Sequence, residues 1–240
     1  MSEKILPKNL ANFKVGVDNV IFSVDTKHNR LLALLYKRTK PPFKDTWSLP
    51  GTLVRQNETL QEAAYRTLAE KIAVNNLYLE QLYTFDETIN NTDEIIDSHS
   101  INYLSISYFA LVRYEEARII NNTNSNLAWY QVSQVPQLAF NHQQILEYGY
   151  GRLKNKLEYS PIAFDVLPNK FTLNDLYQFY CTVLGENFAD YSNFRSRLLK
   201  LGFLLDTGHK VSRGAGRPAS LYTFDKVAFM PLKDKPFVFV

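Results

Sequence analysis

The stretch from Trp47 to Val74 constrains the fold of this chain more than any other part of it. An apolar entry and a Pro50-Gly51 turn lead into a polar loop, and from Thr59 onwards apolar residues recur at three- and four-residue intervals. This spacing predicts a helix with one apolar stripe. The stripe consists of Leu60, Ala63, Ala64, Thr67 and Leu68.

A second face of the predicted helix is charged. Glu62, Arg66 and Glu70 stand four residues apart, so Arg66 can pair with a carboxylate one turn to either side. Glu58 lies just before the helix. A tight turn, an acidic residue and a charged helix face form a platform for a ligand. The same pattern is also typical of a surface helix with salt bridges, and the spacing alone leaves both interpretations open.

The whole stretch resembles a Nudix box, which is a Leu-Pro-Gly-Gly turn, a Glu six residues on and an Arg-Glu-hydrophobic-x-Glu-Glu-x-Gly helix. The positions in register are Trp47, Leu49, Pro50, Gly51, Glu58, Ala63, Arg66, Leu68 and Glu70. The departures are Thr52 for the second glycine, Thr67 for the first catalytic Glu, Lys71 for the last Glu and Ala73 for the final glycine.

These departures bear on metal chemistry. The resemblance implies that helix carboxylates hold magnesium against a diphosphate, and magnesium prefers hard oxygen ligands. Here the three carboxylate positions are Thr67, Glu70 and Lys71, so their formal charge goes from −3 to 0. A lysine ammonium also repels a divalent cation. The four histidines show no paired ligand spacing. We therefore expect no metal site, no cofactor and no catalytic residues.

Strand patterns surround the box. Runs rich in Val, Ile and aromatic residues predict strands at residues 13–24, 30–36, 77–85, 101–112 and 127–132. Residues 86–98 predict an acidic, turn-rich loop, and residues 142–157 predict a helix that leads out of the first domain. With the box helix, these elements predict a Nudix-type α/β/α sandwich over residues 1–158.

Composition indicates the compartment. The single cysteine, Cys181, excludes an intrachain disulfide and suits a reducing environment. The first residues contain no apolar run of signal-peptide length, and no stretch reaches membrane-spanning length. These features predict a cytoplasmic protein without a membrane partner.

The last third of the chain is basic. Residues 1–150 hold 14 Lys and Arg against 16 Asp and Glu, whereas residues 151–240 hold 13 against 8. Prolines at Ser160-Pro161 and Leu167-Pro168 mark the transition. Residues 159–240 are therefore predicted to form a second domain, and its net charge of +5 is a weak indication of nucleic-acid binding.

The order of elements in this domain is that of a winged helix-turn-helix. A helix follows the predicted N-cap Thr172, and a second helix follows the predicted cap Ser192. Strands at residues 203–207 and 221–224 form a hairpin with a glycine-rich basic tip. In such domains the second helix enters the major groove, and the wing reaches the backbone or minor groove. The predicted DNA-binding residues are Ser192, Asn193, Arg195, Ser196, Arg197, Lys200, Lys210, Arg213 and Arg217.

The two halves together resemble the Nudix-related transcriptional regulators of bacteria, the NrtR group, over nearly the whole chain. The stretch from Gly216 to Tyr222 strengthens the resemblance. It implies a Nudix domain that senses a small molecule without cleaving it. One branch responds to ADP-ribose and controls NAD genes, and a Bacteroidetes branch responds to the pentose L-arabinose. The GRPA wing resembles the first branch, whereas FKVGVDNVIF and LPNKFTL resemble the second, so the effector stays open.

The resemblance also implies partners. We expect a homodimer on a palindromic operator of double-stranded DNA, and a small-molecule effector bound by the Nudix domain. The basic segment from Lys37 to Lys40 is either a solvated strand end or a contact to an anionic ligand. The predicted effector-binding residues are Glu58, Arg66, Glu70, Lys37 and Arg38.

The alternative is a working Nudix hydrolase of a nucleoside diphosphate derivative such as ADP-ribose, with an accessory C-terminal domain. Glu58, Glu62 and Glu70 would then hold the metal, and Glu87 or Asp93 would supply a base. The loss of two of the three helix carboxylates argues against this alternative.

Overall fold

The computed structural model describes residues 12–69, 72–73, 79–90, 100–113, 118–119, 126–185, 188–212, 217–233 and 235. Its strands are β1 (Phe13–Asp25), β2 (Arg30–Lys37), β3 (Trp47–Ser48), β4 (Gly51–Leu53), β5 (Ile72–Ala73), β6 (Glu80–Asn90), β7 (Ser100–Arg113), β8 (Arg118–Ile119), β9 (Leu127–Gln131), β10 (Leu204–Val211) and β11 (Ala219–Phe224). Its helices are α1 (Leu60–Ala69), α2 (His142–Tyr159), α3 (Ile162–Val166), α4 (Leu173–Leu184), α5 (Tyr191–Lys200) and α6 (Lys226–Phe229). Short 3-10 turns cover Val132–Gln134 and Met230–Leu232.

Seven of the described strands form one mixed sheet with β1 at its centre. The order is β3-β2-β1-β7-β6, with β4 paired to β1 and β9 paired to β2. Strand β1 runs parallel to β7 and antiparallel to both β2 and β4. Its first half faces β4 and its second half faces β2. The Pro50-Gly51 turn is thereby placed beside Asp18, which pairs with Gly51.

One helix covers each face of this sheet. Ala63, Ala64 and Leu68 of α1 pack on one face, where Ile21 is also buried. On the other face, α2 packs so closely that a Cβ at Gly149 would lie 2.9 Å from Val20 Cγ1. The predicted α/β/α sandwich is confirmed.

The winged helix-turn-helix domain is also confirmed. Thr172 caps α4 as predicted, and Asp175 completes the capping box. The hydrophobic core continues from α2 into this part of the chain, because Leu157 of α2 belongs to the same buried cluster as Tyr180 and Phe194. The boundary between residues 158 and 159 falls within the last turn of α2 and remains a prediction.

Several predicted bounds were wrong. Asp190, rather than Ser192, caps α5, since its carboxylate accepts a hydrogen bond from the backbone N–H of Asn193. Strand β6 begins at Glu80 and extends to Asn90, so the first part of the predicted acidic loop pairs with β7. Residues 91–98 of that loop lie outside the described residues. Helix α3 was not predicted, because its single turn lies between two prolines that indicated a break.

Candidate functional site

A cavity of 260 Å³ opens where β1, the Pro50-Gly51 turn, β7 and the start of α2 meet. Its polar side chains include those of Asp18, Arg38, Glu87, Ser105 and His142, and its aromatic ones are Tyr36, Phe85, Tyr103 and Phe140. A concave site with a mostly apolar wall and a few convergent polar groups is typical of small-ligand binding.

The carboxylate of Asp18 is the centre of the polar wall. Its Oδ2 accepts a hydrogen bond from Ser105 Oγ at 2.5 Å, and its Oδ1 lies 3.4 Å from His142 Nε2. Burial raises the pKa of Asp18, but His142, Ser105 and Arg38 together outweigh burial and hold this pKa below its usual value. Asp18 is therefore ionised at neutral pH.

His142 is held in one tautomer. Its Nδ1 accepts a hydrogen bond from the backbone N–H of Leu49 at 2.9 Å, so the ring proton resides on Nε2, which faces Asp18. The Nudix-like turn and the first residue of α2 thus fix the hydrogen-bonding direction of this side chain. With Ser105 and His142 both donating, the remaining lone pairs of Asp18 are available to a ligand that brings a donor.

Glu87 adds a second carboxylate with a different protonation behaviour. Burial and the nearby Asp18 raise its pKa, although the backbone N–H of Asn141, which donates to Oε2 at 3.1 Å, and His142 act in the opposite direction. As pH falls, Glu87 takes up a proton before Asp18 does. The cavity therefore combines one carboxylate that stays charged with one that protonates more readily.

An aromatic and cationic wall closes the other side. The guanidinium carbon of Arg38 lies 4.6 Å from the centre of the Phe140 ring, and Arg38 Nε donates to the carbonyl of Pro42 at 2.8 Å. Phe140 also contacts Phe43 and Tyr103, with ring centres 4.8 and 6.0 Å apart. Such faces suit the C–H side of a sugar or a planar base.

Gly51 is required by the position of Asp18. A Cβ at residue 51 would lie 1.9 Å from Asp18 Oδ1 and 2.9 Å from the carbonyl oxygen of Val17. We expect Gly51→Ala to displace the carboxylate, to lower the free energy of unfolding by about 1–3 kcal/mol and to abolish effector binding. Denaturant unfolding and calorimetry measure both effects.

The matched control is Gly151→Ala on α2. A Cβ at Gly151 would have no neighbour within 4 Å, so this change should stabilise the helix by up to about 1 kcal/mol and leave effector affinity intact. If Gly51→Ala had the same free energy of unfolding and the same effector affinity as the wild type, the assigned role of the turn would be wrong.

Of the predicted effector-binding residues that the structure describes, only Arg38 lies at the cavity. Arg38 lines the cavity, whereas Lys37 is exposed at the end of β2 and is not part of the lining. Glu58 and Arg66 also lie outside the cavity wall, and Glu70 lies outside the described residues. For all five residues, contact with an effector remains a prediction.

Glu58 and Arg66 instead bind each other. Arg66 Nε donates to Glu58 Oε1 at 2.5 Å and Nη2 donates to Oε2 at 2.9 Å. The hydrogen bonds from Arg66 and from the backbone N–H of Arg55 lower the pKa of Glu58 to about 2. Of the two carboxylates one turn to either side of Arg66, Glu62 accepts hydrogen bonds from the backbone and hydroxyl of Thr59, and Glu70 lies outside the described residues.

The described box residues do not fit a magnesium site. Glu58 and Glu62 are already engaged at the loop and the helix start, and Thr67 is buried with its hydroxyl donating to the carbonyl of Ala63. Within the described residues, no group of three or more His, Cys, Asp or Glu side chains could hold a metal ion. Lys71 and Asp93 lie outside the described residues.

Asp18, Ser105 and His142 were missed by the sequence analysis. They are far apart in the chain and meet only because β1 pairs with β7 and α2 begins beside the turn. One signal was present: Asp18 is a lone acid inside a strand of Val, Ile and Phe residues. A charge at such a position is costly unless it is paired, so it indicates a site.

The predicted recognition face of α5 is exposed. Phe194 and Leu198 are buried against the core, and the polar side chains of the helix point outwards. The exposed ones among the predicted DNA-binding residues are Ser192, Asn193, Arg195, Ser196, Arg197, Lys200, Lys210 and Arg217. Arg213 lies outside the described residues. The contact of each residue with DNA remains a prediction.

Comparison with known proteins agrees with this arrangement. Residues 13–148 match the NUDIX domain family, and residues 159–240 match the AraR C-terminal winged HTH domain family. The ADPR responsive transcriptional repressor NtrR of Acinetobacter baylyi is 33% identical over 212 residues, covering 87% of this chain and 80% of that protein.

Two solved structures are similar as well. The crystal structure of Shewanella oneidensis NrtR complexed with a 27mer DNA is 31% identical with a TM-score of 0.71, and the match covers 88% of this chain and 93% of that one. The NUDIX domain of the same NrtR complexed with ADP ribose is 30% identical with a TM-score of 0.50, over 64% of this chain and 99% of that one.

Fold and site therefore define a protein class in which a Nudix sandwich with a ligand-sized cavity is joined by one helix to a winged helix-turn-helix. The chain belongs to the Nudix-related transcriptional regulators, the NrtR group. In the part of the chain that the structure describes, none of the helices is both long and apolar enough to span a bilayer.

Proposed function

We propose that this protein is a ligand-responsive transcriptional regulator whose Nudix domain senses a small metabolite and whose winged helix binds double-stranded DNA. The observation that carries this function is the similarity over most of both chains to an ADP-ribose-responsive repressor and to an NrtR bound to DNA. The cavity and the exposed basic face of α5 are the corresponding sites in this chain.

The cavity favours the sugar part of an effector. At 260 Å³ it is smaller than the roughly 300–1,000 Å³ usual for larger ligands. Asp18 and Glu87 offer acceptors to hydroxyl groups, and Arg38 is the only cation among the described lining residues, so a diphosphate gains little there. A pentose with vicinal hydroxyls fits this chemistry.

Two effectors present such a sugar. ADP-ribose is supported by the named relatives, and it would place a ribose in the cavity with its diphosphate outside. L-Arabinose is supported by the two carboxylates of the cavity. It is also supported by the match of residues 159–240, the reader domain, to the AraR C-terminal winged HTH domain family. Titration of each compound, with NAD as a third, decides between them.

We propose that α2 carries the signal. His142, its first residue, lines the cavity, and residues two to four turns further along pack against the reader domain. Tyr150 Oη donates to the carbonyl of Val183 at 2.8 Å, and Tyr180 Oη donates to the carbonyl of Leu157 at 3.2 Å. A change at the cavity that moves α2 would therefore move α4.

Further features of the proposal follow from the class. We propose that residues 1–158 form the sensor and residues 159–240 the reader, that the protein is a cytoplasmic homodimer, and that it binds a palindromic operator. One winged helix covers a single half-site, and two copies related by a twofold axis match a palindrome. We also propose that the Nudix domain is not catalytic, since its described box carboxylates are occupied by protein donors.

Two assays on the purified full chain test the function. We expect binding to a duplex selected from a random-sequence pool, and a change in that binding on addition of ADP-ribose, NAD or L-arabinose. With magnesium present, we expect negligible hydrolysis of ADP-ribose, because Thr67 and Lys71 replace two of the three helix carboxylates.

The hydrolase alternative makes the opposite prediction. Magnesium-dependent turnover of about 1 per second or faster, lost in Glu70→Gln and accompanied by no DNA binding, would replace the regulator with an enzyme. Glu80→Gln serves as the control, since Glu80 lies outside the box and pairs with Arg152 and Lys156 of α2, so its loss should not affect turnover.

A further inference from the structure

A second concave site lies in the reader domain, between the start of α4, the start of α5 and the wing. Its volume is 330 Å³. Three cations from three separate segments line it: Arg195 on α5, Lys210 on β10 and Arg217 at the edge of β11. None of the described residues that line it is acidic, so the site has the charge and size for an anionic group.

The carboxylates at the starts of α4 and α5 have other partners. Asp175 accepts from the backbone N–H of Thr172 at 2.9 Å, and Asp190 accepts from the backbone N–H of Asn193 at 3.0 Å. Each therefore stabilises a helix start. Without a paired carboxylate in the wall, cations that converge on one concavity repel one another until an anion binds.

The backbone holds this site in shape. Phe171, just before α4, forms a two-way bridge with Tyr222 of β11, with hydrogen bonds of 3.1 and 2.8 Å. Lys210 pairs directly with Ser220 across the hairpin. The start of α4 and the wing are thus joined by backbone hydrogen bonds. Neutral donors, Asn174 and Tyr191, also line the site and suit phosphate oxygens.

We propose that Arg195, Lys210 and Arg217 together hold a single backbone phosphate of the operator. The inference rests on the proposed function and assigns Arg195 to backbone clamping instead of base reading. The neighbouring exposed residues Asn193 and Arg197 are outside the lining, and they keep the proposed role of contacting base edges. This phosphate-binding site, called the seat below, sets the depth and angle at which α5 meets the groove.

The salt dependence of DNA binding tests the seat. Each phosphate neutralised by a protein contributes about 0.9 to the slope of log affinity against log salt. The triple variant Arg195→Gln, Lys210→Gln and Arg217→Gln should therefore reduce the slope by about one unit, although three charges are removed. Single variants should lose about tenfold in affinity or more, and the losses should not add.

A matching change in the DNA locates the phosphate. Methylphosphonates, which are uncharged, are placed one at a time along the selected duplex. One position should weaken wild-type binding as much as the triple variant does, and the triple variant should be insensitive to that substitution. Arg197→Gln is the control and should remain sensitive at the same position.

Four outcomes would overturn the proposal. A slope reduced by about three units would mean three separate phosphates. Calorimetric binding of orthophosphate alone, lost in the triple variant while DNA binding is kept, would assign the site to a free anion. Failure of the wild type to bind any selected duplex would overturn the seat together with the proposed function, whereas wild-type binding with an unaffected triple variant would overturn the seat alone.

Discussion

Replacing Asp18 by asparagine should lower effector affinity by roughly 10- to 100-fold. A hydrogen bond to a charged group contributes about 1.5–3 kcal/mol, and asparagine replaces the charged acceptor with a neutral one. Its amide group also places donors against Ser105 and the Nε2–H of His142, which both donate to Asp18 in the native cavity. Calorimetry with the active effector measures the loss.

The pH dependence follows from the direction of the pKa shift. The pKa of Asp18 is lowered in the folded protein, so its ionised form contributes stability that is present above the unfolded pKa of about 3.9. That contribution is lost as pH falls through the folded pKa. The contribution of Glu87 to stability has the opposite sign. Because its pKa is raised in the folded protein, protonation of Glu87 stabilises the fold and ionisation destabilises it. Effector affinity should therefore fall on acidification, first as Glu87 and then as Asp18 takes up a proton.

Asp25→Asn is the matched control for this experiment. Asp25 lies on the same strand, is buried and has a lowered pKa, but its partners are His28 and Arg30, away from the cavity. We expect this variant to lose stability and to keep effector affinity. If Asp18→Asn binds the effector as well as the wild type does, the cavity is not the effector site.

The sequence predicted the helices better than the cavity, for a physical reason. Each long helix has an apolar stripe that packs on the sheet or on another helix, and this local periodicity is visible without the fold. The cap of α5 was misplaced because Asp190 and Ser192 are both good capping residues, and backbone geometry decides between them. Polar residues such as Thr88 were read as loop although they continue β6, where pairing with Asn102 compensates for their polarity.

The cavity could not be predicted in the same way. The Ser105–Asp18 contact joins residues 87 positions apart, and the Leu49–His142 contact joins residues 93 positions apart. Neither pairing leaves a periodic signal. The Nudix box was recognised by its spacing, yet its most visible charges, Glu58 and Arg66, pair with each other. The retained turn acts at the cavity through Gly51 and the backbone of Leu49.

The second large effect concerns communication between the two sites. We expect the double variant Tyr150→Phe and Tyr180→Phe to bind effector and DNA normally and to lose most of the effector's influence on DNA affinity. The two tyrosine hydroxyls donate hydrogen bonds that join α2 to α4. Phenylalanine removes these bonds and keeps the rings in the core. Together these bonds contribute about 1–3 kcal/mol, which is comparable with a typical allosteric coupling free energy.

The measurement is a DNA titration with and without saturating effector. A coupling of about 1–3 kcal/mol corresponds to a change in wild-type DNA affinity of roughly 5- to 150-fold, and the double variant should change by little. Tyr148→Phe is the control, because Tyr148 lies on the same helix but is 41% exposed. It should respond like the wild type.

The outcome also tests how the ligand acts. An effector shifts DNA affinity only if it binds the DNA-free and DNA-bound conformations with different affinity. If α2 transmits this difference, loss of its hydrogen bonds to α4 leaves both binding events intact but uncouples them. Because coupling is reciprocal, the effect of DNA on effector affinity should decrease by the same factor. A full response in the double variant would mean that the signal travels through another contact between the domains, such as the hydrogen bond from Arg113 to the carbonyl of Leu167.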